Sequence, residues 1–318
     1  MKRVYFTRPL PESVADMARA HFEVEMREEN TPLKIGQMRA ALNLYDGVLM
    51  MFGDTFSSEV FREAQNPRCK VLANYGVGIN HIDLAAARSA GVLVTNVPGA
   101  VTEATADIGM TLIMMSARRA GEGERMVRAG KWPGWNPTQL LGTHVTGKTV
   151  GIIGMGRIGT AIAKRCHYGF DMDVIYWSRS EKELSFSTER VRTLEELMAR
   201  ADFVVVALPV SPDTHHLIDA EALALMPRHA HLINIARGDI VDEAALIAAL
   251  QEGRIAGAGL DVYENEPEVP EALKALENVV LLPHMGTSTL EVREKMGRVA
   301  VENLRAALAG ETPPNLVN

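Results

Sequence analysis

The sequence predicts an α/β protein made of two doubly wound parallel-sheet domains, and three observations carry that prediction. Short β-rich runs alternate with helical patterns through residues 1–98, which is the grammar of a parallel sheet with helices on its faces. One apolar run, Val150-Gly151-Ile152-Ile153, ends in Gly154-Met155-Gly156-Arg157-Ile158-Gly159 and passes directly into the helical segment Thr160-Ala161-Ile162-Ala163-Lys164-Arg165. After that turn the same alternation of strand and helix resumes, with no repeat at a fixed period.

In chain order, strands are expected at Val4-Tyr5-Phe6, Phe22-Glu23-Val24, 47–51, 70–73 and 92–94, with helices at 11–20, 35–42, 59–64 and 83–90 between them. Asn96-Val97-Pro98-Gly99 interrupts the pattern, and a mostly apolar helix follows at 101–117. The second unit continues with a helix and a tryptophan-bearing arm at 118–141, which includes Lys131-Trp132-Pro133-Gly134-Trp135. Beyond the glycine turn, strands are expected at 173–177, 203–208, 231–235, 257–262 and 279–282, with helices at 194–200 and 243–252. The last helix, 288–308, is long enough to cross back to the first domain. The expected division is therefore 1–98 with 287–318 for one domain and 99–286 for the other.

Composition narrows the class. A chain of 318 residues has room for two full cores, and 47% apolar with 23% charged residues describes an ordinary globular protein. A net charge of -7 argues against nucleic acid or an anionic membrane as partner. Cys69 and Cys166 lack metal-ligand spacing, and Met1 to Leu10 holds no signal-peptide core, so a reduced cytoplasmic protein is expected. No apolar run approaches the length of a membrane span.

The glycine turn carries the first chemical inference. In a strand–turn–helix of this kind Gly154 permits the tight turn, Gly156 lets the backbone approach a pyrophosphate, and Gly159 lets helix and strand pack closely. The phosphates rest on the N–H groups opening the new helix, which makes Met155, Arg157 and Ile158 cofactor neighbours as well. This is the Rossmann arrangement.

Open parallel sheets bind ligands at the carboxyl ends of their strands. Three ionisable residues stand beyond such ends: Arg237 after Asn234-Ile235-Ala236, Glu266 after Leu260-Asp261-Val262-Tyr263, and His284 after Leu281-Leu282-Pro283. A guanidinium fork can hold a carboxylate bidentately and polarise an adjacent carbonyl. A histidine can exchange a proton with the oxygen of a carbonyl/alcohol pair, and a carboxylate beside it stabilises the imidazolium. With a nicotinamide on the same rim, the set suits reversible hydride transfer between a 2-keto acid and a 2-hydroxy acid. Singly, each residue also fits a plainer role, as helix cap, loop charge or turn residue.

At these residues the sequence resembles a known family. Ile235-Ala236-Arg237-Gly238-Asp239, Leu260-Asp261-Val262-Tyr263-Glu264-Asn265-Glu266-Pro267 and Leu282-Pro283-His284-Met285-Gly286 resemble the signatures of the D-isomer-specific 2-hydroxyacid dehydrogenases. The resemblance spans nearly the whole chain, including Asn74-Tyr75-Gly76-Val77-Gly78-Ile79-Asn80-His81-Ile82-Asp83 and Thr105-Ala106-Asp107. It implies a Rossmann cofactor domain plus a flavodoxin-like substrate domain. It also implies that Arg237 binds the carboxylate and keto oxygen, that His284 is the acid/base, and that Glu266 orients it. Glu264 is the tempting alternative, and the family's Glu-Pro dipeptide places the role on Glu266. The same resemblance assigns the N–H groups of Val77 and Gly78 to the substrate carboxylate; read from the residues alone, Gly76-Val77-Gly78 is either an anion-binding turn or an ordinary βα loop. Thr105, Leu208, Pro209, Thr214, Ile235, Ala236, Asp261, His284 and Gly286 are cofactor neighbours on the family pattern.

A NAD-specific site of this type places an acid at the end of the second strand. Here Val174-Ile175-Tyr176-Trp177 runs instead into Ser178-Arg179-Ser180, an arginine between two hydroxyls that suits a 2′-phosphate. NADP(H) is therefore the favoured cofactor and NAD(H) the second choice, with Glu181 the residue that weighs against. Within the family, Ser116 to Glu124 with Trp132-Pro133-Gly134-Trp135 is similar to the glyoxylate/hydroxypyruvate reductase and glycerate dehydrogenase branch. That resemblance implies a small 2-keto acid or 2-hydroxy acid as substrate and a homodimer formed through the cofactor domain. The rival from another class is a dinucleotide-sensing binding protein like the co-repressors that resemble this family. No metal site is expected, since the adjacent His215 and His216 cannot share one face of a regular element.

Overall fold

Inner strands of both sheets grow from short runs that are buried along their length, as a parallel sheet covered by helices requires. The computed structural model describes residues 1–64 and 66–318. The chain separates into two units, Met1–Val101 with Thr287–Asn318, and Thr102–Gly286.

In the first unit the order is β1 (Arg3–Phe6), α1 (Glu12–Arg19), β2 (Glu23–Met26), α2 (Ile35–Leu44), β3 (Gly47–Met50), α3 (Ser58–Glu63), β4 (Val71–Asn74), α4 (Leu84–Ser89) and β5 (Leu93–Thr95). The five strands pair in parallel in the order β2-β1-β3-β4-β5, the flavodoxin-like winding. β3 and β4 are buried at every residue, so their sequences show an apolar run and not alternation.

The second unit opens with α5 (Thr102–Ala117) and α6 (Ala120–Arg128), and then winds β6 (Thr149–Ile153), α7 (Arg157–Phe170), β7 (Asp173–Trp177), β8 (Glu189–Arg190), α8 (Leu194–Arg200), β9 (Phe203–Val206), α9 (Ala220–Leu225), β10 (His231–Asn234), α10 (Glu243–Gln251), β11 (Gly257–Leu260), α11 (Glu271–Lys274) and β12 (Val279–Leu281). The seven-stranded parallel sheet runs β12-β11-β10-β9-β6-β7-β8, which reverses its direction of growth between β6 and β9. Ligands of such sheets bind at that reversal. Along β9, Val204 and Val206 enter one core and Phe203 and Val205 the other, so both faces are filled. β8, α9 and α11 lack a sequence forecast for a simple reason. β8 is two exposed charged residues, and α9 and α11 bury one side chain each, Leu223 and Leu273, so no burial period registers.

The final helix, α12 (Leu290–Leu308), belongs to the first unit and buries Met296, Ala300, Val301 and Leu304. The Tyr75 hydroxyl donates to the Arg293 carbonyl, and the fully buried Asn303 donates its amide to Asn96 O at 3.0 Å. After α12 the tail makes an antiparallel bridge from Leu316 to Thr95, which covers the outer edge of β5. Cys69 and Cys166 are both buried, and burial pushes each thiol up to about 12, which makes them inert packing groups. Among the described residues no helix is long and apolar enough to cross a membrane.

A buried histidine gives the second unit an acid-sensitive point. His231 is 4% exposed, with Nδ1 2.8 Å from Ser116 Oγ and Nε2 3.0 Å from Thr143 Oγ1. Burial pushes its pKa down to about 4, with the His229 charge adding to the effect. In the unfolded chain the imidazole titrates near its ordinary value of about 6.5. The unfolded state therefore takes up the proton first on acidification. The stability that neutral His231 allows is complete above about pH 6.5 and falls as pH drops from there toward 4, by up to roughly 3 kcal/mol. Urea midpoints measured across that window should drop more steeply in wild type than in His231→Gln. Equal acid sensitivity of the two proteins would contradict this account.

Candidate active site

The glycine turn at the end of β6 is built as a cradle. Gly154 has φ 99, which side-chain-bearing residues rarely adopt, and a Cβ there would stand 2.7 Å from Leu208 Cβ. A Cβ at Gly159 would stand 2.2 Å from the Gly154 carbonyl oxygen, so only glycine lets α7 approach β6 this closely. Gly156 is exposed, caps α7, and has nothing within 4 Å of its Cβ position. The first N–H groups of a helix have no partner within it, and a glycine cap offers them no side-chain acceptor. Open space lies in front of donors at the positive end of a helix, which fits a pyrophosphate. Around this cradle Met155 is buried, Arg157 exposed and Ile158 half-buried.

Ser178-Arg179-Ser180 follows β7 on the neighbouring strand end. Ser178 Oγ donates to Ser180 O at 2.6 Å, and Arg179 is exposed. A second arginine shapes this loop. Arg190, on β8, donates Nη2 to the carbonyls of Ser178 (3.0 Å) and Arg179 (3.3 Å). Sequence reading missed Arg190 because β8 lacks an apolar signature. On the other side of β6, Leu208 is 9% exposed, and Thr214 Oγ1 accepts from Ser211 N at 2.7 Å and donates to Pro209 O at 3.1 Å. The hydroxyl of Thr214 thus holds the loop after β9 in shape.

Beyond β10, Asn234 is the brace. Its Oδ1 accepts from Ala236 N at 3.0 Å and its Nδ2 donates to Arg237 O at 2.8 Å, while Ile235 stays in the core. The residue after Arg237 must be glycine, because a Cβ on Gly238 would lie 1.9 Å from the Tyr263 carbonyl carbon. That close approach sets the Arg237 loop against the 261–266 segment. Burial pushes the Arg237 guanidinium below its ordinary value, and the Glu266 and Asp239 carboxylates oppose the push. The group stays a cation at any physiological pH.

The structure brings Glu266 and His284 together. Glu266 Oε2 lies 2.7 Å from His284 Nδ1, and its Oε1 accepts from Tyr263 N at 3.1 Å. Glu264 points elsewhere, with Oε1 2.9 Å from His216 Nε2. His284 itself is in the left-handed region, φ 52, and its side chain is 37% exposed. Asp261 holds that turn. The buried carboxylate accepts from Met285 N at 2.6 Å and Gly286 N at 2.8 Å, and the Asp261 carbonyl accepts from His284 N at 2.9 Å. Burial pushes the Asp261 carboxyl up, and the Met285 and Gly286 N–H groups together with the His284 charge pull it back in part. Thr105, at the start of α5, donates to Gly286 O at 3.2 Å. The geometry therefore commits the polar groups of Asp261 and Thr105 to positioning the His284–Gly286 turn.

Val77 and Gly78 lie in the first unit, in the loop after β4. Asn74 Nδ2 donates to Gly76 O (3.1 Å) and Gly78 O (2.8 Å), and Asn96 Nδ2 donates to Val77 O (3.0 Å). A planar trans peptide points its N–H opposite its C=O, so the bonds to Gly76 O and Val77 O turn the N–H groups of Val77 and Gly78 away from the two asparagines. His81 Nε2, 3.2 Å from Asn74 Oδ1, completes the brace.

One consequence is testable at Glu266. Hydrogen bonds to charged groups are worth about 1.5–3 kcal/mol, so Glu266→Gln should slow turnover at least about tenfold. Glu264→Gln, which breaks the His216 pair instead, should cost far less. Steady-state turnover of the two variants decides between them, and the opposite ranking would move the role to Glu264.

Comparison with known proteins bears on this geometry. The model of the D-isomer specific 2-hydroxyacid dehydrogenase, NAD binding domain, matches residues 110–286. The glyoxylate reductase of Thermococcus kodakarensis is 44% identical, over 99% of this chain and 96% of its own. The crystal structure of an NADPH-dependent glyoxylate/hydroxypyruvate reductase from Sinorhizobium meliloti, in complex with NADP and malonate, superposes with a TM-score of 0.88 at 32% identity, covering 99% of this chain and 96% of that one. A glyoxylate reductase from Paecilomyes thermophila superposes with a TM-score of 0.88 at 30% identity, covering 99% and 98%.

Proposed function

The chain belongs to the D-isomer specific 2-hydroxyacid dehydrogenase family, and from that premise we propose that it reduces a small 2-keto acid, glyoxylate or hydroxypyruvate, with NADPH. The observation that carries the reading is the 2.7 Å pair of Glu266 and His284 on the strand-end rim that also bears the half-buried Arg237. The cofactor would rest on the 154–159 turn, with Ser178, Arg179 and Ser180 toward its 2′-phosphate, and with Leu208, Pro209, Thr214, Ile235, Ala236 and Asp261 near its remainder. Bound there, the nicotinamide would supply hydride, a hydrogen with its electron pair, to the keto carbon.

The chain's own residues do the rest. Arg237 grips the substrate carboxylate as a fork and draws electron density from the adjacent carbonyl oxygen. The N–H groups of Val77 and Gly78 are the further donors assigned to that carboxylate. His284 gives its proton to the carbonyl oxygen as the new C–H bond forms and regains one from solvent. With Nδ1 engaged by Glu266, Nε2 is the nitrogen assigned to that transfer, and the Glu266 charge offsets the imidazolium. Asp261 and Asn234 hold His284 and Arg237 in place through backbone bonds, which serves pre-organisation. The exposed apolar side chains of the arm, Trp132 at 55%, Trp135 at 83% and Leu141 at 66%, support a homodimer formed on this face of the cofactor unit.

A panel of 2-keto acids assayed with both cofactors tests the reading. Glyoxylate or hydroxypyruvate with NADPH should give the highest kcat/KM. A clear preference for a bulky branched 2-keto acid, or for NADH, would sink the corresponding half.

A further inference from the structure

Outside the residues assigned to reduction, one cluster gathers metal-ligating side chains from two separate loops. The expectation against a metal at His215-His216 rested on regular structure, where neighbouring side chains diverge. Both residues lie instead in the turn after Thr214, and His216 has a left-handed backbone, φ 49. Their imidazoles stack, with centroids 4.0 Å apart and 27° between planes. Glu264, from the loop after β11, brings Oε1 to 2.9 Å from His216 Nε2. One ligand atom from each of the three lies within 4.8 Å of the other two. The backbones are held independently of these side chains. His216 N donates to Asp239 O at 2.8 Å, and Glu264 N donates to Glu243 Oε2 at 3.5 Å.

We propose that His215, His216 and Glu264 bind one divalent transition-metal ion, Zn²⁺ above others, with water completing the set. Two imidazoles and a carboxylate match the ligand preferences of Zn²⁺, whereas Mg²⁺ and Ca²⁺ prefer all-oxygen sites. Bonds of about 2.0–2.2 Å in a tetrahedral site put ligand atoms about 3.4 Å apart. His216 and Glu264 are already closer than that, at 2.9 Å. The exposed His215 ring closes the remaining gap by side-chain rotation, without backbone movement. The ion replaces the direct His216–Glu264 contact and ties the loop that carries Thr214 to the segment that carries Glu266. A clamp joining two loops that are far apart in sequence stabilises the folded state by ligand linkage.

His284 and Glu266 are also a histidine–carboxylate pair, so the test must separate the two places. Metal-stripped full-length protein is titrated with ZnCl₂ by calorimetry, and its thermal midpoint is followed over the same range. Wild type and His284→Ala should each bind one equivalent with a raised midpoint. His215→Ala and Glu264→Gln should weaken that binding by more than about 100-fold, beyond the roughly 10–100-fold that losing an outer-shell partner typically costs. His215 is exposed, so its variant should fold, and far-ultraviolet circular dichroism checks this. Retention of wild-type affinity in His215→Ala, loss of binding in His284→Ala, or no binding by wild type would each overturn the proposal.

Discussion

Replacing His284 by alanine should lower turnover by roughly 10²–10⁴-fold, the range that general acid/base catalysis supplies. The expectation rests on geometry. The ring sits at the rim of the parallel sheet and is held by Glu266 at 2.7 Å, on a turn that Asp261 fastens through two backbone N–H groups. Alanine removes the proton donor and leaves the turn's backbone bonds intact. NADPH affinity should then change by only a few-fold, so the loss appears in kcat. A variant that keeps near-wild-type turnover would remove His284 from the mechanism. One that loses NADPH binding in step with turnover would show that the side chain serves the cofactor instead.

The second large effect is expected at Arg179. The 2′-phosphate of NADP(H) is a multiply charged anion, and charge-assisted hydrogen bonds from one guanidinium are worth about 1.5–3 kcal/mol. Arg179→Ala should therefore weaken NADPH binding by roughly 10–150-fold, with NADH affected far less. Arg190 bears on this expectation, because it holds the Ser178 and Arg179 carbonyls and keeps the loop in shape when the Arg179 side chain is gone. The measurement is kcat/KM for each cofactor in wild type and variant. Equal losses for both cofactors would assign Arg179 to the loop's fold, not to the phosphate.

Legibility in the sequence followed the physics of each element. The inner strands β3, β4, β9, β10 and β11 are buried at every residue, and Gly154 and Gly159 of the turn have steric reasons that read directly from spacing. β8 was not legible, since two exposed charged residues carry no burial pattern, and Arg190 was lost with it. Asn74, Asn96 and Asn234 carry no sequence signal of their service as carbonyl and N–H braces, because it depends on loops that close only in three dimensions. Spacing also cannot separate Glu264 from Glu266 in an irregular loop. In the structure one faces His216 and the other His284. Asp261 and Thr105 were read as cofactor neighbours, and their hydrogen bonds to the 284–286 turn were invisible without it. His215 and His216 were judged by the rule for regular structure, which a turn does not obey.

The central claim is that this chain carries out reduction and does not merely bind a dinucleotide. A single-turnover experiment tests it most directly. Protein saturated with NADPH, in excess over added glyoxylate, is mixed rapidly, and the reduced-nicotinamide absorbance is followed while glycolate is assayed in the quenched solution. The account predicts loss of one NADPH per glyoxylate consumed and an equal yield of glycolate, with the same trace slowed by orders of magnitude in His284→Ala. Tight NADPH binding with an unchanging absorbance, for both glyoxylate and hydroxypyruvate, would contradict it.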